Sequence, residues 1–227
     1  VYSKSHLLDI LKIAEKFKLP VIADEIYADM VFKGNRISKL YLGFTFHALA
    51  SLSDKVPILT TGGLAKRWLV PGWRVGWILI HDPLKNLNNV RKGLISLTQL
   101  TLGANSLIQA AIPELLSLPE SFYSETLEQL QENAMLASEI LSNTPGIKIV
   151  FPQGAMYLML QLDLEKLGFK SELDFVESLV SAESVLVLPG SCFRCDGPWV
   201  RIVFTVHKSD LKIACERIVE FCGSGKR

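Results

Sequence analysis

The stretch "GGLAKRWLVPGWRVGW", Gly62 to Trp77, decides how the rest of the chain reads. It sets one lysine and two arginines among three of the four tryptophans, with glycine, proline and branched apolar residues between them. A lysine in apolar company is costly as a cation, so it loses its proton readily or takes a covalent partner. A carbonyl-trapping lysine needs an amine of that kind. Ahead of it, "VPILTTGG" predicts a short buried strand from Val56 to Thr60, and after it "WRVGWILI" predicts another from Trp73 to Ile80. Lys66 therefore falls just past a strand end, in a glycine-containing turn, and Arg74 follows eight residues later.

Working outward, the apolar spacing of Leu7, Ile10, Leu11, Ala14 and Phe17 predicts a helix capped by Ser3 or Ser5. "LPVIADEIYADMVF" follows: Val21 to Ala23 reads as a strand covered on both faces, ending at Asp24 and Glu25. Helical patterns cover Leu87 to Leu97, Ala104 to Leu118 with Pro113 as an expected kink or break, and Ser121 to Leu141. After the turn "NTPG" the period changes. In "AMYLMLQL", Met156, Leu158, Leu160 and Leu162 alternate with Tyr157, Met159 and Gln161, which predicts an antiparallel sheet with one buried face. A helix from about Glu172 to Ser181, strands at Val185 to Leu188 and Trp199 to Phe204, and a helix from Asp210 to Cys222 complete the pattern. The first half is thus α/β with a parallel or mostly parallel sheet and flanking helices. The second is a smaller α+β domain, with the division placed at 1–120 and 121–227.

Composition excludes several functions. Apolar residues make up 49% and charged residues 21% of the 227, so disorder is not expected. A net charge of +1 gives no electrostatic case for a nucleic-acid partner. No apolar run is long enough to span a bilayer, and the first residues lack the pattern of a signal peptide. Cys192 and Cys195 form a C-x-x-C, but Cys215 and Cys222 sit on an amphipathic helix beside Ile218 and complete no metal knuckle. The four cysteines read as reduced and the compartment as cytoplasmic, with no metal expected.

Ligands of open α/β sheets gather at the carboxyl ends of the strands, where Asp24 and Lys66 both stand. Taken singly, Asp24 could cap a helix and Lys66 could extend to water. Taken together with the Tyr27 phenol and the Arg74 guanidinium, they form the four groups that would serve a pyridoxal phosphate site. "TGGLAK" lacks the spacing of a nucleotide phosphate loop, and the absence of a wider basic stripe argues against single-stranded nucleic acid.

The same residues carry a family resemblance. Gly63, Leu64, Ala65, Lys66, Arg74, Val75 and Gly76 resemble the cofactor-attachment signature of class I aminotransferases, and "ADEIYADMVF" resembles that family's Asp-x-x-Tyr segment. With "KVPIL", "GAMYLM" and "RIVFTV", the likeness runs over nearly the whole chain, and is strongest to members acting on aromatic amino acids. It implies part of the large domain of the pyridoxal-phosphate-dependent transferase fold, followed by the small domain. It also implies transamination between an aromatic amino acid and 2-oxoglutarate, in a homodimer, with pyridoxal 5′-phosphate as cofactor. Lys66 would form the Schiff base, Asp24 would face the pyridine nitrogen, Tyr27 the phenolate oxygen and Arg74 the phosphate. Arg201, in "WVRIVFTV", would fork onto the substrate α-carboxylate. Many members carry Ser where this chain has Gly63, and Arg67 is the expected substitute for that hydroxyl at the phosphate. The family's N-terminal half, with further cofactor ligands, would lie upstream of Val1. The segment "ISKLYLGFTFHALA", Ile37 to Ala50, is longer than the family's usual loop. A carbon–sulfur lyase with the same lysine and a non-catalytic truncated form stay open as alternatives.

Overall fold

Ser3 caps the first helix, α1 (Lys4–Phe17): its hydroxyl accepts the His6 N–H at 3.3 Å. The helix closes at Lys18, whose left-handed backbone turns its N–H onto the Ala14 and Glu15 carbonyls. The computed structural model describes residues 1–33 and 44–224, so much of the Ile37 to Ala50 segment lies outside the described residues. Residues Val1–Ser124 and Glu125–Arg227 form two compact units.

The first unit holds a three-stranded sheet in the order β1 (Val21–Asp24), β2 (Ile58–Gly63), β3 (Gly76–His81). Leu11 and Ala14 of α1 form a core with Leu49, Val56 and Ile58, and Val21 and Ala23 pack against it. β1 is parallel to β2, whereas β2 and β3 are antiparallel. The mostly parallel sheet expected from sequence is therefore mixed among the described residues. An apolar strand reads alike in either direction. The direction is set by the Leu64–Val75 connection, which holds only a single 3-10 turn, Pro71–Trp73, and no crossover helix. Helices α2 (Asn88–Thr101), α3 (Ser106–Leu116) and α4 (Glu120–Leu141) follow. Pro113 sits inside α3 and does not end it. Asn105 caps α3, its side-chain oxygen accepting the Leu107 and Ile108 N–H groups.

In the second unit, strands β4 (Ile147–Val150), β5 (Tyr157–Leu162), β6 (Leu188–Pro189) and β7 (Trp199–Val203) form an antiparallel sheet ordered β4-β5-β7-β6. The alternation in β5 is as read: Leu158, Leu160 and Leu162 are buried, and Tyr157, Met159 and Gln161 are not. Helices α5 (Leu164–Leu167), α6 (Glu172–Glu183) and α7 (Lys208–Ser224) complete the unit. The strand expected at Val185 to Leu188 is reduced to Leu188–Pro189, because only these two residues find partners, on β7. Buried Asn133 of α4 donates from Nδ2 to the Phe204 and Val206 carbonyls, both at 2.9 Å, fixing the chain where it leaves β7. No described helix is long and apolar enough to cross a membrane.

Candidate functional site

Strand register brings four of the five candidate residues to one edge of the first sheet. Asp24 stands opposite Thr61 across the parallel pair, and Gly63 stands opposite Gly76 across the antiparallel pair. The carboxyl ends of β1 and β2 therefore share an edge with the start of β3. Asp24 ends β1 and Tyr27 lies in the turn beyond it, while Lys66 follows β2 and Arg74 precedes β3.

Asp24 is exposed. Its Oδ1 accepts the Thr61 hydroxyl at 3.1 Å and the Ile26 N–H at 3.3 Å. Its Oδ2 accepts no hydrogen bond among the described residues, leaving one oxygen for a ligand. The Ile26 contact opens a pair of tight turns, closed by Ala28 N–H to the Glu25 carbonyl (2.9 Å) and Met30 N–H to the Tyr27 carbonyl (3.0 Å). The Glu25 carboxylate pins this turn by accepting the Leu49 N–H at 2.8 Å.

Lys66 is half-buried, so its surroundings are less apolar than its sequence neighbours suggest. Its Nζ lies 5.7 Å from the centroid of the Tyr27 ring. The loop carrying it is closed at its base by Leu64 N–H to the Val75 carbonyl (3.1 Å) and anchored by fully buried Leu64. Arg74 has a left-handed backbone (φ 55°), a conformation costly for a residue with a β-carbon. Its Nη1 donates to the Pro71 carbonyl at 3.0 Å. Neither Lys66 nor Arg74 enters an ion pair among the described residues. Two cations without a carboxylate partner, beside an amine-facing phenol and a half-satisfied carboxylate, form a donor set that fits pyridoxal phosphate. Lys66 and Arg74 would meet its aldehyde and phosphate, and Asp24 and Tyr27 its pyridine nitrogen and phenolate oxygen.

The expected role of Arg67 at the phosphate needs correction. Arg67 Nη1 pairs with the Asp29 carboxylate in the turn after β1, and its guanidinium stacks 4.7 Å from the Tyr123 ring centroid and 5.7 Å from that of Trp68. Behind the loop, Trp68 Nε1 donates to the Tyr123 hydroxyl at 2.9 Å, and Trp68 meets Trp77 edge-on at 6.0 Å. Trp77 lies so close over Gly62 that a β-carbon there would sit 2.6 Å from its indole nitrogen.

Arg201 belongs to the second unit, on β7, where no ion pair engages it among the described residues. Its guanidinium lies between two aromatic rings, 4.3 Å from the Tyr157 centroid and 4.0 Å from that of Phe193. Tyr157 is its diagonal neighbour across the β5–β7 ladder. Phe193 ends the 3-10 turn Gly190–Phe193. The Arg201 Nε is buried and meets no acceptor among the described residues. A buried donor left open marks a place for an anionic oxygen. Glu172 holds the Phe193 turn in place, accepting the Ser191 N–H at 2.7 Å and the Trp199 N–H at 2.9 Å. Burial pushes the Glu172 carboxyl up, but hydrogen bonds from Ser191, Trp199 and Gly190 outweigh it and leave it below its ordinary value. Cys192 and Cys195 on the same segment are free thiols, and no group of three metal-binding side chains occurs among the described residues.

Sequence reasoning missed Thr61, Asp29, Tyr157 and Phe193. Thr61 and Tyr157 become visible only once strand register is known. Asp29 reads as a surface acid of a turn, and Phe193 as a loop apolar residue.

The chain belongs to the aminotransferase class I and II family, whose family model matches residues 1–218. Within that family it is 42% identical to a tyrosine aminotransferase of Caenorhabditis elegans, over 98% of this chain and 46% of the relative. It is 44% identical to the tyrosine aminotransferase of Homo sapiens, over 98% of this chain and 47% of the relative. The crystal structure of tyrosine aminotransferase from Leishmania infantum superposes with a TM-score of 0.89 at 35% identity, over 100% of this chain and 54% of that one. The chain spans about half the length of the curated relatives it matches.

Proposed function

We propose that this chain is the lysine-bearing portion of a pyridoxal-phosphate-dependent aminotransferase that moves the amino group of an aromatic amino acid, L-tyrosine, to 2-oxoglutarate, in a cytoplasmic homodimer. The observation that supports the reading is the sheet edge where β1 and β2 end and β3 begins: Asp24 lies on it, and Tyr27, Lys66 and Arg74 lie in the connections that leave or enter it. The names of the relatives support the substrate class.

When bound, the cofactor supplies an aldehyde for the amino group and a ring that takes up electrons. Lys66 Nζ would bind the cofactor through its aldehyde and, as a free amine, would move a proton at the substrate α-carbon. Asp24, with Oδ2 open, would hold the proton on the pyridine nitrogen, and the Tyr27 hydroxyl would donate to the phenolate oxygen. Arg74 would hold the phosphate, and Arg201, its guanidinium held between the Tyr157 and Phe193 rings, would fork onto the substrate α-carboxylate.

Borohydride reduction of the chain with pyridoxal phosphate, followed by peptide mapping, tests this. A single reduced adduct at Lys66, lost in Lys66→Ala together with transamination, is expected. Labels scattered over surface lysines, or transamination surviving in Lys66→Ala, would refute the reading.

A second reading, a family member that associates without catalysing, is favoured by α2 and α3. Neither helix buries a residue, and Leu100 and Leu107 are 80% and 79% exposed. The same experiment separates the two, since a non-catalytic chain gives no adduct confined to Lys66.

A further inference from the structure

Tyr27 sits on the turn that follows β1, midway between two carboxylates that are both already engaged. Glu25 fixes the turn on one side through the Leu49 N–H. Asp29 fixes it on the other through Arg67, the residue directly after Lys66. The Arg67–Asp29 pair is thus a bridge between the turn that carries the phenol and the loop that carries the amine. Two features hold it in place. The Arg67 side chain is 26% exposed, so the pair is screened less than the other surface ion pairs. Its guanidinium is stacked on Tyr123 and Trp68, which are themselves joined by the 2.9 Å indole-to-hydroxyl hydrogen bond. Asp29 adopts a left-handed backbone (φ 60°), which aspartate tolerates better than most residues with a β-carbon.

We infer that Arg67 and Asp29 are positioning residues that set the Tyr27 phenol against Lys66, and through it tune the Lys66-bound chromophore. This rests on the pyridoxal phosphate reading above. Neither residue touches the cofactor in this account. Cutting the tie removes the side-chain link between the turn and the Lys66 loop, and the 5.7 Å spacing between Lys66 Nζ and the Tyr27 ring loosens. The titration of the chromophore then moves as it does when the phenol itself is removed. The other charged and titratable groups at this edge among the described residues are Asp24, Glu25 and Arg74. None of them contacts Arg67 or Asp29 in an ion pair.

The test is the pH-dependent absorbance of the Lys66 adduct in the full chain loaded with pyridoxal phosphate, with thermal melting measured alongside. The variants are Asp29→Asn, Arg67→Gln, Arg67→Lys, Tyr27→Phe and the double variant Tyr27→Phe/Asp29→Asn. Asparagine is among the residues best tolerated in a left-handed backbone, so Asp29→Asn keeps the turn while removing the charge. Asp29→Asn and Arg67→Gln are expected to shift the titration midpoint in the direction of Tyr27→Phe by about one pH unit, the effect of loosening one hydrogen bond to a titrating group. Arg67→Lys, which keeps the charge and loses the fork, should shift it less. Adding Asp29→Asn to Tyr27→Phe should shift it no further.

A midpoint unchanged in Asp29→Asn and Arg67→Gln, with the adduct formed, overturns the tie alone. So does an equal shift from Asp29→Asn with and without Tyr27, which would mean plain electrostatics. Absence of any Lys66 adduct in the unsubstituted chain overturns the cofactor reading and the tie with it.

Discussion

The sharpest stability test concerns Gly63, the last residue of β2, the position at which the family resemblance implies serine in many members. A β-carbon built there falls 2.9 Å from the Val75 carbonyl oxygen, 3.2 Å from the Gly76 α-carbon and 3.3 Å from Ile26 Cδ1. The nearest of these is backbone and cannot swing aside. That same Val75 oxygen accepts the Leu64 N–H that closes the base of the Lys66 loop. Gly63→Ala therefore adds an overpacking cost of roughly 1–3 kcal/mol and strains a hydrogen bond worth about 1 kcal/mol. Alanine in place of glycine returns roughly 0.4–1 kcal/mol by restricting the unfolded chain. The net expectation is a loss of about 1–3 kcal/mol. Gly72 supplies the control: it lies in the same loop, has nothing within 4 Å of an added β-carbon, and so gains only the unfolded-state benefit. Urea unfolding followed by tryptophan fluorescence is the assay, because Trp68, Trp73 and Trp77 all report on this loop and strand. Gly63→Ala should unfold at lower urea and Gly72→Ala at equal or higher urea. Coincident midpoints for the two variants would show that the β2–β3 approach is looser than described and that the missing serine has no steric origin.

Three further outcomes are expected. Asn133→Ala strips the Phe204 and Val206 carbonyls of their buried donor and should cost roughly 2–3 kcal/mol by chemical denaturation; a loss under about 0.5 kcal/mol would mean that the carbonyls find other donors. The Glu172 carboxyl is held low by its hydrogen bonds, so its stabilisation is present above the unfolded value of about 4.3 and is lost as pH falls through the lower folded value. Protection of the Ser191 and Trp199 amides, relative to their intrinsic exchange rates, should therefore fall in strong acid, and at neutral pH in Glu172→Ala; unchanged protection in that variant would remove Glu172 as the clamp. Burial pushes the Cys215 and Cys222 thiols up to about 11 and about 12, so at pH 8 they stay protonated while exposed Cys192 is alkylated. Because the folded state keeps these protons where the unfolded chain releases them, stability should decline as pH rises past 9.0; prompt labelling of Cys222 in the folded protein would contradict the burial.

Local patterning in the sequence was enough to identify β5, because alternation over a half-buried strand leaves every second leucine inside. It also identified α1, with its cap narrowed to Ser3 or Ser5, Asp24 as a strand-end residue and Lys66 as one just past a strand end. The direction of β3 was not legible. Apolar strands share one composition whichever way they run, and the short return through Leu64–Val75 has no residue type that announces it. The same blindness hid the partners of the candidate groups. Thr61 meets Asp24 only through register, and Tyr157 meets Arg201 only across a ladder diagonal. Arg67 shows the opposite failure: its proximity to Lys66 in sequence suggested a ligand contact, whereas Asp29, 38 residues away, takes its guanidinium.

The antiparallel return has a consequence for how such a protein can diversify. Gly63 and Gly76 face each other across a single rung, and Leu64 is bonded to Val75 just beyond it. The loop between them is a closed purse whose drawstring is the ladder. Residues gained or lost at its tip, around Pro71 and Gly72, alter the reach from Lys66 to Arg74 without disturbing a strand. The separation between amine and guanidinium is thus set by the length of this loop, while the sheet that presents them stays constant.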